Sequence, residues 1–427
     1  MLVADGRIAA VGPVGAIESS HPSLDLGNAV LLPGLVNVHS HLECSLLRGF
    51  GDDLELFPWV RRLTALKYTV MEPADFEVAS LLGAAELLRA GVTCTADCSD
   101  NGLAVLRGLA VSGLRGRVYQ EVFGPSAADV PASLAGLAAK LDLLQTERPA
   151  GRVDVGISPH APYTVCAELF GACAELGRAR GMPLAVHIAE SPAEVSLIRD
   201  GAGPIAEAMA ARELPWSARG TSPVRYLRDL GLLDLAETLQ LIHCVHIDDD
   251  DVDAMAAARV GIAHCPRSNA KLGNGVFPAA ALADARLRLG IGTDSSASNN
   301  ALSVLEELRF TALLQRAVER TPHASSAAAL LELATLGGAR CLGLESAIGS
   351  IDPGKQADLA AFSLDGPEHV PCPDPAGALV FGPAPGPAAL TMVGGRVLCR
   401  DGRVASFDIP ALLDDARARA ARLIARF

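Results

Sequence analysis

Basic residues are the minority in this chain. Lys and Arg number 36 against 49 Asp and Glu, a formal net charge of −13 with a pI of about 5.2. That balance argues against a nucleic-acid-binding role or one on an anionic membrane surface, each of which needs a basic face. No apolar run approaches the roughly eighteen residues of a membrane span. The opening Met1-Leu2-Val3-Ala4-Asp5-Gly6-Arg7 has neither a basic n-region nor a long apolar h-region, so export is not expected and a cytoplasmic location is. The ten cysteines are scattered, with Cys44, Cys94, Cys98, Cys166, Cys173, Cys244, Cys265 and Cys341 embedded in apolar runs. No pair has a zinc-ribbon spacing with a matching second pair, so free thiols in a reducing compartment are expected rather than disulfides. No Gly-x-Gly-x-x-Gly follows a strand and no phosphate loop is present, which leaves hydride and phosphoryl transfer without support. Tandem repeats and low-complexity segments are also missing.

What is present is a well-buried chain of 427 residues, 50% hydrophobic and only 20% charged. Length alone allows two or three domains, or one α/β barrel occupying most of the chain. Short apolar runs at 30–38, 91–97, 116–123, 153–158, 183–188, 239–245, 261–264 and 289–293 read as strands. Between them lie segments with apolar residues at helical spacing, such as 76–90, 132–145 and 167–180. Eight strand–helix units predict a (β/α)8 TIM barrel. A doubly wound open sheet would gather its polar clusters at one switch point, whereas here they follow nearly every strand. The two ends differ from the middle: 1–32 and 346–408 alternate short strand-like pieces with turns. They predict a small β-sandwich domain built from both chain ends around a barrel at 33–345, with a surface loop at 382–387 and a C-terminal helix at 409–427.

The chemistry-bearing residues sit at strand ends, where a barrel keeps its function. His39 and His41 close the first strand, and in an extended chain residues i and i+2 face the same way, so both imidazoles can reach one ion. His160 follows the fourth strand, His187 and Glu190 the fifth, His243 and His246 the sixth, His264 the seventh and Asp294 the eighth. Of ten histidines only His21, His323 and His369 lie elsewhere. Neutral imidazoles plus a carboxylate around one divalent ion, with a position left open, make a catalytic Zn2+ or Fe2+ site, and His39, His41, His187 and Asp294 are the candidate ligands. Such an ion acidifies water and so generates hydroxide at neutral pH, with Asp294 able to take the proton and Glu190 able to deliver it to substrate.

These motifs resemble the amidohydrolase superfamily. The resemblance runs from Pro33-Gly34-Leu35-Val36-Asn37-Val38-His39-Ser40-His41 through His187-Ile188-Ala189-Glu190 and His243-Cys244-Val245-His246 to Gly292-Thr293-Asp294-Ser295-Ser296. It continues into Gly349-Ser350-Ile351-Asp352-Pro353-Gly354-Lys355-Gln356-Ala357-Asp358-Leu359. The branch it resembles is the cytosine-deaminase-like group, which holds deaminases of adenosine-type nucleosides, guanine deaminases and s-triazine hydrolases. That resemblance implies one metal ion held by His39, His41, His187 and Asp294, with His243 contacting the metal-bound water and Glu190 shuttling a proton to a ring nitrogen. Dinuclear relatives use a carboxylated lysine at a mid-barrel strand. The lysines here are Lys67, Lys140, Lys271 and Lys355, and none ends a strand; Tyr119-Gln120-Glu121 and His160 occupy those places. Relatives usually carry a strand pair before the point where this chain starts, so the expectation is either a trimmed small domain or a misplaced start site.

The candidate substrate-binding set is His160, Trp59, Arg267, Ser298 and Asn299. Trp59 is either a cap over an aromatic base or ordinary packing, and Arg267 either a salt-bridge partner or a contact to a polar substrate. Glu43 is either a support for the site or a surface carboxylate; His246 and His264 read as structural. Glu190 suits hydrolysis at an amidine-like carbon of a heteroaromatic ring, with ammonia leaving. Methylthioadenosine/S-adenosylhomocysteine deaminases carry a Trp followed by a glutamate that holds the ribose, whereas here the corresponding stretch reads Leu66-Lys67-Tyr68. The segments around Val118–Gly124, His187–Ser191 and Cys265–Asn269 look more like aminofutalosine deaminases, which act on an adenosine derivative in menaquinone synthesis. The reading is therefore a metal-dependent deaminase of a small aminopurine-type nucleoside, 6-aminodeoxyfutalosine-like, with a homodimer left open. The alternatives are a methylthioadenosine/S-adenosylhomocysteine or guanine/cytosine-type deaminase, a triazine or other ring C–N hydrolase, and a non-catalytic metal-binding protein. The last class loses a ligand or the acid, whereas all six residues are present here.

Overall fold

The computed structural model describes residues 1–13, 15–17, 22–214, 216–383 and 386–426. His21 and part of the 382–387 loop lie outside them. Strands β1 (Leu2–Ala4) and β2 (Arg7–Ala10) form a hairpin, and β3 (Ala29–Pro33) leads directly into β4 (Leu35–Ser40). Seven further strands follow: β5 (Val92–Ser99), β6 (Arg115–Val122), β7 (Val153–Pro159), β8 (Leu184–Ile188), β9 (Leu239–His243), β10 (Gly261–His264) and β11 (Arg288–Ile291). With β4 they form one parallel sheet in sequential order. The sheet curls until its edges meet: Ser40 bridges Asp294, and the carbonyl of His39 accepts from the N–H groups of both Thr293 and Asp294. Across the same seam the Asn37 side chain donates to Thr293 Oγ1 at 2.8 Å and accepts from the Thr293 N–H at 2.9 Å.

The run at 30–38, expected as one strand, is two. It breaks at Pro33-Gly34, and the halves belong to different sheets: β3 pairs with β12 (Leu359–Ser363) of the small domain and β4 with β5 of the barrel. The physical reason is at Gly34, where a Cβ would lie 2.1 Å from Thr93 Oγ1, so only glycine lets the chain cross between the layers.

The barrel is packed on both sides, which is why its strands read as near-continuous apolar runs. Its interior holds mostly small side chains, Cys94, Ala96, Cys98, Ala185 and Ala263, among Val36, Val38, Tyr119 and Ile242. Ala339, Cys341, Leu342 and Ile348 close one end. The outward strand residues, such as Val118, Ile157, Leu184 and Leu241, pack on helices through Leu106, Leu141, Phe170 and Leu227. The helices α1 (Leu56–Thr69) and α2 (Pro73–Arg89) follow the first barrel strand, and α1 lies beside the other, open end. All ten cysteines are free thiols.

The small domain is an antiparallel sheet in the order β15 (Arg403–Val404), β14 (Arg396–Arg400), β13 (Leu390–Val393), β12, β3. The β1–β2 hairpin packs Ile8 and Val3 against Leu31, Leu359 and Met392 of this sheet. A helix, Ile409–Ala425, then returns along α2, where Arg419 and Arg422 pair with the buried Asp75. Among the described residues no helix is long and apolar enough to cross a membrane.

Candidate active site

A cavity of about 610 Å³ opens at the C-terminal ends of the barrel strands. At its floor four side chains from distant parts of the chain converge. His39 Nε2 lies 3.4 Å and His41 Nε2 3.5 Å from Asp294 Oδ1, and His187 Nε2 lies 3.3 Å from His41 Nε2. The register of β4 against β5 slips between Asn37 and Ser40, the kind of irregularity that re-aims side chains at a strand end. Backbone strain gathers at the same rim: Ala189, His243 and Asp294 all take positive φ (52°, 75° and 58°), a conformation costing about 1–3 kcal/mol for residues other than glycine.

Hydrogen bonds set which nitrogen faces inward. His187 Nδ1 donates to the carbonyl of His160 at 3.1 Å, so its Nε2 carries a lone pair toward the cluster. His39 Nε2 is sealed from solvent and has no hydrogen-bond partner. A tetrahedral ion with metal–nitrogen bonds near 2.0–2.1 Å would place its donor atoms about 3.4 Å apart, which these separations match. The donor set therefore fits one divalent ion. Asp294 is held in place for it: its Oδ2 accepts from Ser268 Oγ at 2.5 Å and Ser298 Oγ at 3.1 Å, and its Oδ1 from the Ser295 N–H at 2.7 Å. Burial pushes this carboxyl up, yet the His39 ring 3.4 Å away and the other neighbouring histidines outweigh it and hold Asp294 well below the usual carboxylate range.

Glu190 stands on the other side of the floor. Its Oε1 accepts from Asn274 Nδ2 at 3.0 Å and lies 3.6 Å from His243 Nε2. Burial, then the Asp294 and Glu194 charges, push its carboxyl well above the ordinary value, the direction that suits a general acid. His243 Nδ1 donates to Asn269 Oδ1 at 2.9 Å, which leaves its Nε2 free as an acceptor beside Glu190; burial depresses this imidazole to about 4. The turn that carries Glu190 is clamped by Glu194, whose two oxygens accept from the Ala189 and Glu190 N–H groups at 2.8 and 2.9 Å.

Of the expected substrate contacts, His160 and Trp59 line the cavity. His160 is neutral, depressed to about 3 by burial, and shares a 2.8 Å hydrogen bond with Thr164 Oγ1. The structure places the other three away from the cavity. Arg267 turns to the buried Glu307, with Nε 3.9 Å from its carboxyl and the Arg267 N–H bonded to it at 3.1 Å. Asn299 donates to the same Glu307 at 2.6 Å and to the Thr293 carbonyl at 2.7 Å. Ser298 is buried beneath Asp294. None of the three lines the cavity; they brace the Asp294 turn from behind. His246 bonds the Asn274 carbonyl at 2.7 Å, and His264 is buried against Phe277.

Several residues in the site escaped sequence reasoning. Asn269 and Ser268 lie in the segment that drew attention for Arg267. Glu194 had a signal, the Ser191-Pro192-Ala193-Glu194 capping pattern. Asn274 had none, and Glu121 only its place at a strand end. Glu43 and Lys67 form a buried ion pair at 2.5 Å in the cavity wall.

Comparison with known proteins agrees with this geometry. A family model described as "Amidohydrolase family" matches residues 30–398. A 5-methylthioadenosine/S-adenosylhomocysteine deaminase of Nitratidesulfovibrio vulgaris is 36% identical over 420 residues, covering 98% of this chain and 91% of the relative. The enzyme of that name from Symbiobacterium thermophilum is 32% identical, covering 99% and 94%. Among solved structures, a zinc-bound adenosine deaminase from Xanthomonas campestris superposes with a TM-score of 0.83 at 32% identity, covering 93% of this chain and 87% of that one. A triazine hydrolase from Arthrobacter aurescens shares the fold, with a TM-score of 0.85 at 23% identity and coverage of 98% and 93%. The chain belongs to the amidohydrolase family and is a hydrolase acting on C–N bonds.

Proposed function

We propose that this protein is a hydrolytic deaminase of an adenine-type nucleoside. The observation that carries the reading is Glu190, held by Asn274 and set 3.6 Å from His243 in the cavity that His41, His187 and Asp294 line, with His39 beside Asp294. Those four would hold one divalent ion, with zinc favoured because the adenosine deaminase relative is described with bound zinc. When bound, the ion supplies Lewis acidity, which makes attack by water feasible at neutral pH. Asp294 accepts the proton that the attacking water gives up. Glu190 places a proton on the ring nitrogen, which makes the adjacent amino-bearing carbon electrophilic. His243, its Nδ1 fixed by Asn269, holds the water in line through Nε2. Asp294 returns its proton to the amino group, the hydroxyl proton passes to Glu190, and the tetrahedral intermediate collapses to release ammonia and leave the oxo base.

The wall opposite the floor is apolar, formed by Leu56, Trp59, Val60, Leu63 and Leu272, and suits an aromatic base and a bulky 5′ group. The finer reading is a 6-aminodeoxyfutalosine-like substrate. It is supported by the stretch Leu66-Lys67-Tyr68, which offers no carboxylate where methylthioadenosine/S-adenosylhomocysteine deaminases are expected to hold the ribose with one. The second reading, deamination of methylthioadenosine or S-adenosylhomocysteine, is favoured by the 36% identity across 98% of the chain. Ammonia release by the metal-loaded protein from adenosine, methylthioadenosine, S-adenosylhomocysteine, 6-aminodeoxyfutalosine, guanine and cytosine separates them. No ammonia from any adenine nucleoside would overturn the proposal.

A further inference from the structure

Glu121 has no part in the reaction as described, yet it stands in the reaction cavity. It is the penultimate residue of β6, where it sits opposite Ser158 of β7. Its side chain is buried and lines the same cavity as Glu190. A carboxyl oxygen of Glu121 lies within 4.8 Å of the ring nitrogens of His41 and His187. Its Oε1 is sealed from solvent and has no hydrogen-bond partner. Among the described residues Glu121 makes no ion pair; Lys67, which also faces this cavity, is taken by Glu43 at 2.5 Å.

A buried acceptor left unmatched is costly, and native structures keep few of them without a use. The strand beneath Glu121 is fixed on both sides, paired with β5 and β7, so the carboxyl cannot simply swing to solvent. Its free oxygen is placed for something that enters the cavity carrying a donor. Position around the barrel narrows what that is. Glu190 follows β8 and Glu121 lies near the end of β6, so β7 with His160 separates the two carboxyls. A flat heteroaromatic ring that brings a nitrogen to Glu190 and its reacting carbon to the His41–His187 pair turns its remaining substituent at that carbon toward β6. In an adenine ring that substituent is the exocyclic amino group, a donor only.

We propose that Glu121 is a specificity-determining residue whose Oε1 accepts a hydrogen bond from the exocyclic amino group of the substrate. The inference rests on the deaminase reading and deepens it: it selects rings that carry N–H at the reacting carbon over rings that carry halide or alkoxide there. It also accounts for a carboxyl being kept at a place where burial disfavours one.

The test uses the full-length, metal-loaded protein with Glu121→Met, which preserves bulk without an acceptor, and Glu121→Gln, which keeps a carbonyl oxygen. Two quantities are read: kcat/KM for the amino nucleoside that the wild type deaminates, and the inhibition constant of its 6-chloro analogue, which has no N–H at that carbon. The expected result is a loss of about 10- to 100-fold in kcat/KM for Glu121→Met, the scale of a lost hydrogen bond to a charged or buried group. The inhibition constant should move less than about threefold, and Glu121→Gln should recover most of the activity. Equal losses for substrate and chloro analogue would overturn the inference alone. So would a fall in metal content in Glu121→Met, which would make Glu121 a ligand instead. Should Glu121→Met not fold, Glu121→Ala takes its place with the same expected outcomes. Absence of ammonia release by the wild type from every aminopurine nucleoside would overturn the deaminase reading and this inference with it.

Discussion

Removing Glu43 should destabilise the protein more than removing Lys67, although the two are partners in one ion pair. Both are buried, and Lys67 Nζ meets Glu43 Oε1 at 2.5 Å. The pair is not symmetric. Glu43 also accepts from the Asp100 N–H at 3.1 Å and from Asn101 N and Nδ2, each at 2.9 Å. Among the described residues Lys67 has no other hydrogen-bond partner, only the Tyr68 ring 5.2 Å away. Glu43→Ala therefore strands a buried ammonium and should cost about 3–5 kcal/mol. Lys67→Met leaves a carboxylate that keeps three donors, so the loss should be nearer about 1–3 kcal/mol. The double variant should cost less than the sum, since the second change removes the charge the first one stranded. Burial pulls the Lys67 ammonium down, but Glu43, Cys44 and Glu121 together hold it well above 10.5. A raised folded-state value keeps its contribution whole below the unfolded value, and loses it only as pH rises through the folded one. The difference between wild type and Lys67→Met should thus be constant from about pH 6 to 9. Urea unfolding at fixed metal loading measures all four proteins. Equal costs for the two single variants, or strict additivity in the double, would refute the reasoning.

Glu190→Gln should lower ammonia release by about 10²- to 10⁴-fold, the range of general acid–base catalysis, while elemental analysis still finds one equivalent of metal. Asp294→Asn should lose both activity and metal, and titration with a chelator would show the weaker hold. His264 is buried and depressed to about 3, so below the ordinary value of 6.5 the unfolded chain takes up a proton that the folded one does not. Stability should then fall by about 1.4 kcal/mol per pH unit between 6.5 and 3 on its account. His264→Gln should flatten the pH dependence of the urea midpoint by one proton. Gly34→Ala, which would set a Cβ 2.1 Å from Thr93 Oγ1, should cost about 1–3 kcal/mol by overpacking and lower the thermal midpoint of the whole chain.

The barrel and the positions of the candidate ligands were legible because both follow from period and place: apolar runs, then histidines where those runs stop. The division of 30–38 into β3 and β4 was not, since Pro33-Gly34 inside an apolar run has the same appearance whether the chain turns within a sheet or passes between two. The substrate contacts divided along a similar line. Trp59 and His160 come from elements that border the cavity. Ser298 and Asn299 lie so close in sequence to Asp294 that proximity alone suggested contact, while the hydrogen bonds turn them behind the turn to Ser268 and Glu307. Glu121 was quoted only as the occupant of a place where a lysine was absent. Its importance depends on an oxygen having no partner, a property that exists only once the neighbours are in position.

The meeting of β4 and β11 has a consequence for biogenesis. Asn37 and Thr293 are 256 residues apart and yet lock the seam, so the barrel remains an open ribbon until almost the last of its strands has left the ribosome. A growing chain can display His39, His41 and His187 well before Asp294 exists. While the ribbon is open, β5, β6 and β7 hold His187 apart from the His39–His41 pair, so the ligand set cannot assemble until the edges meet. Closing the ribbon and completing the ligand set are one event, and retention of the correct ion becomes a mark of finished folding.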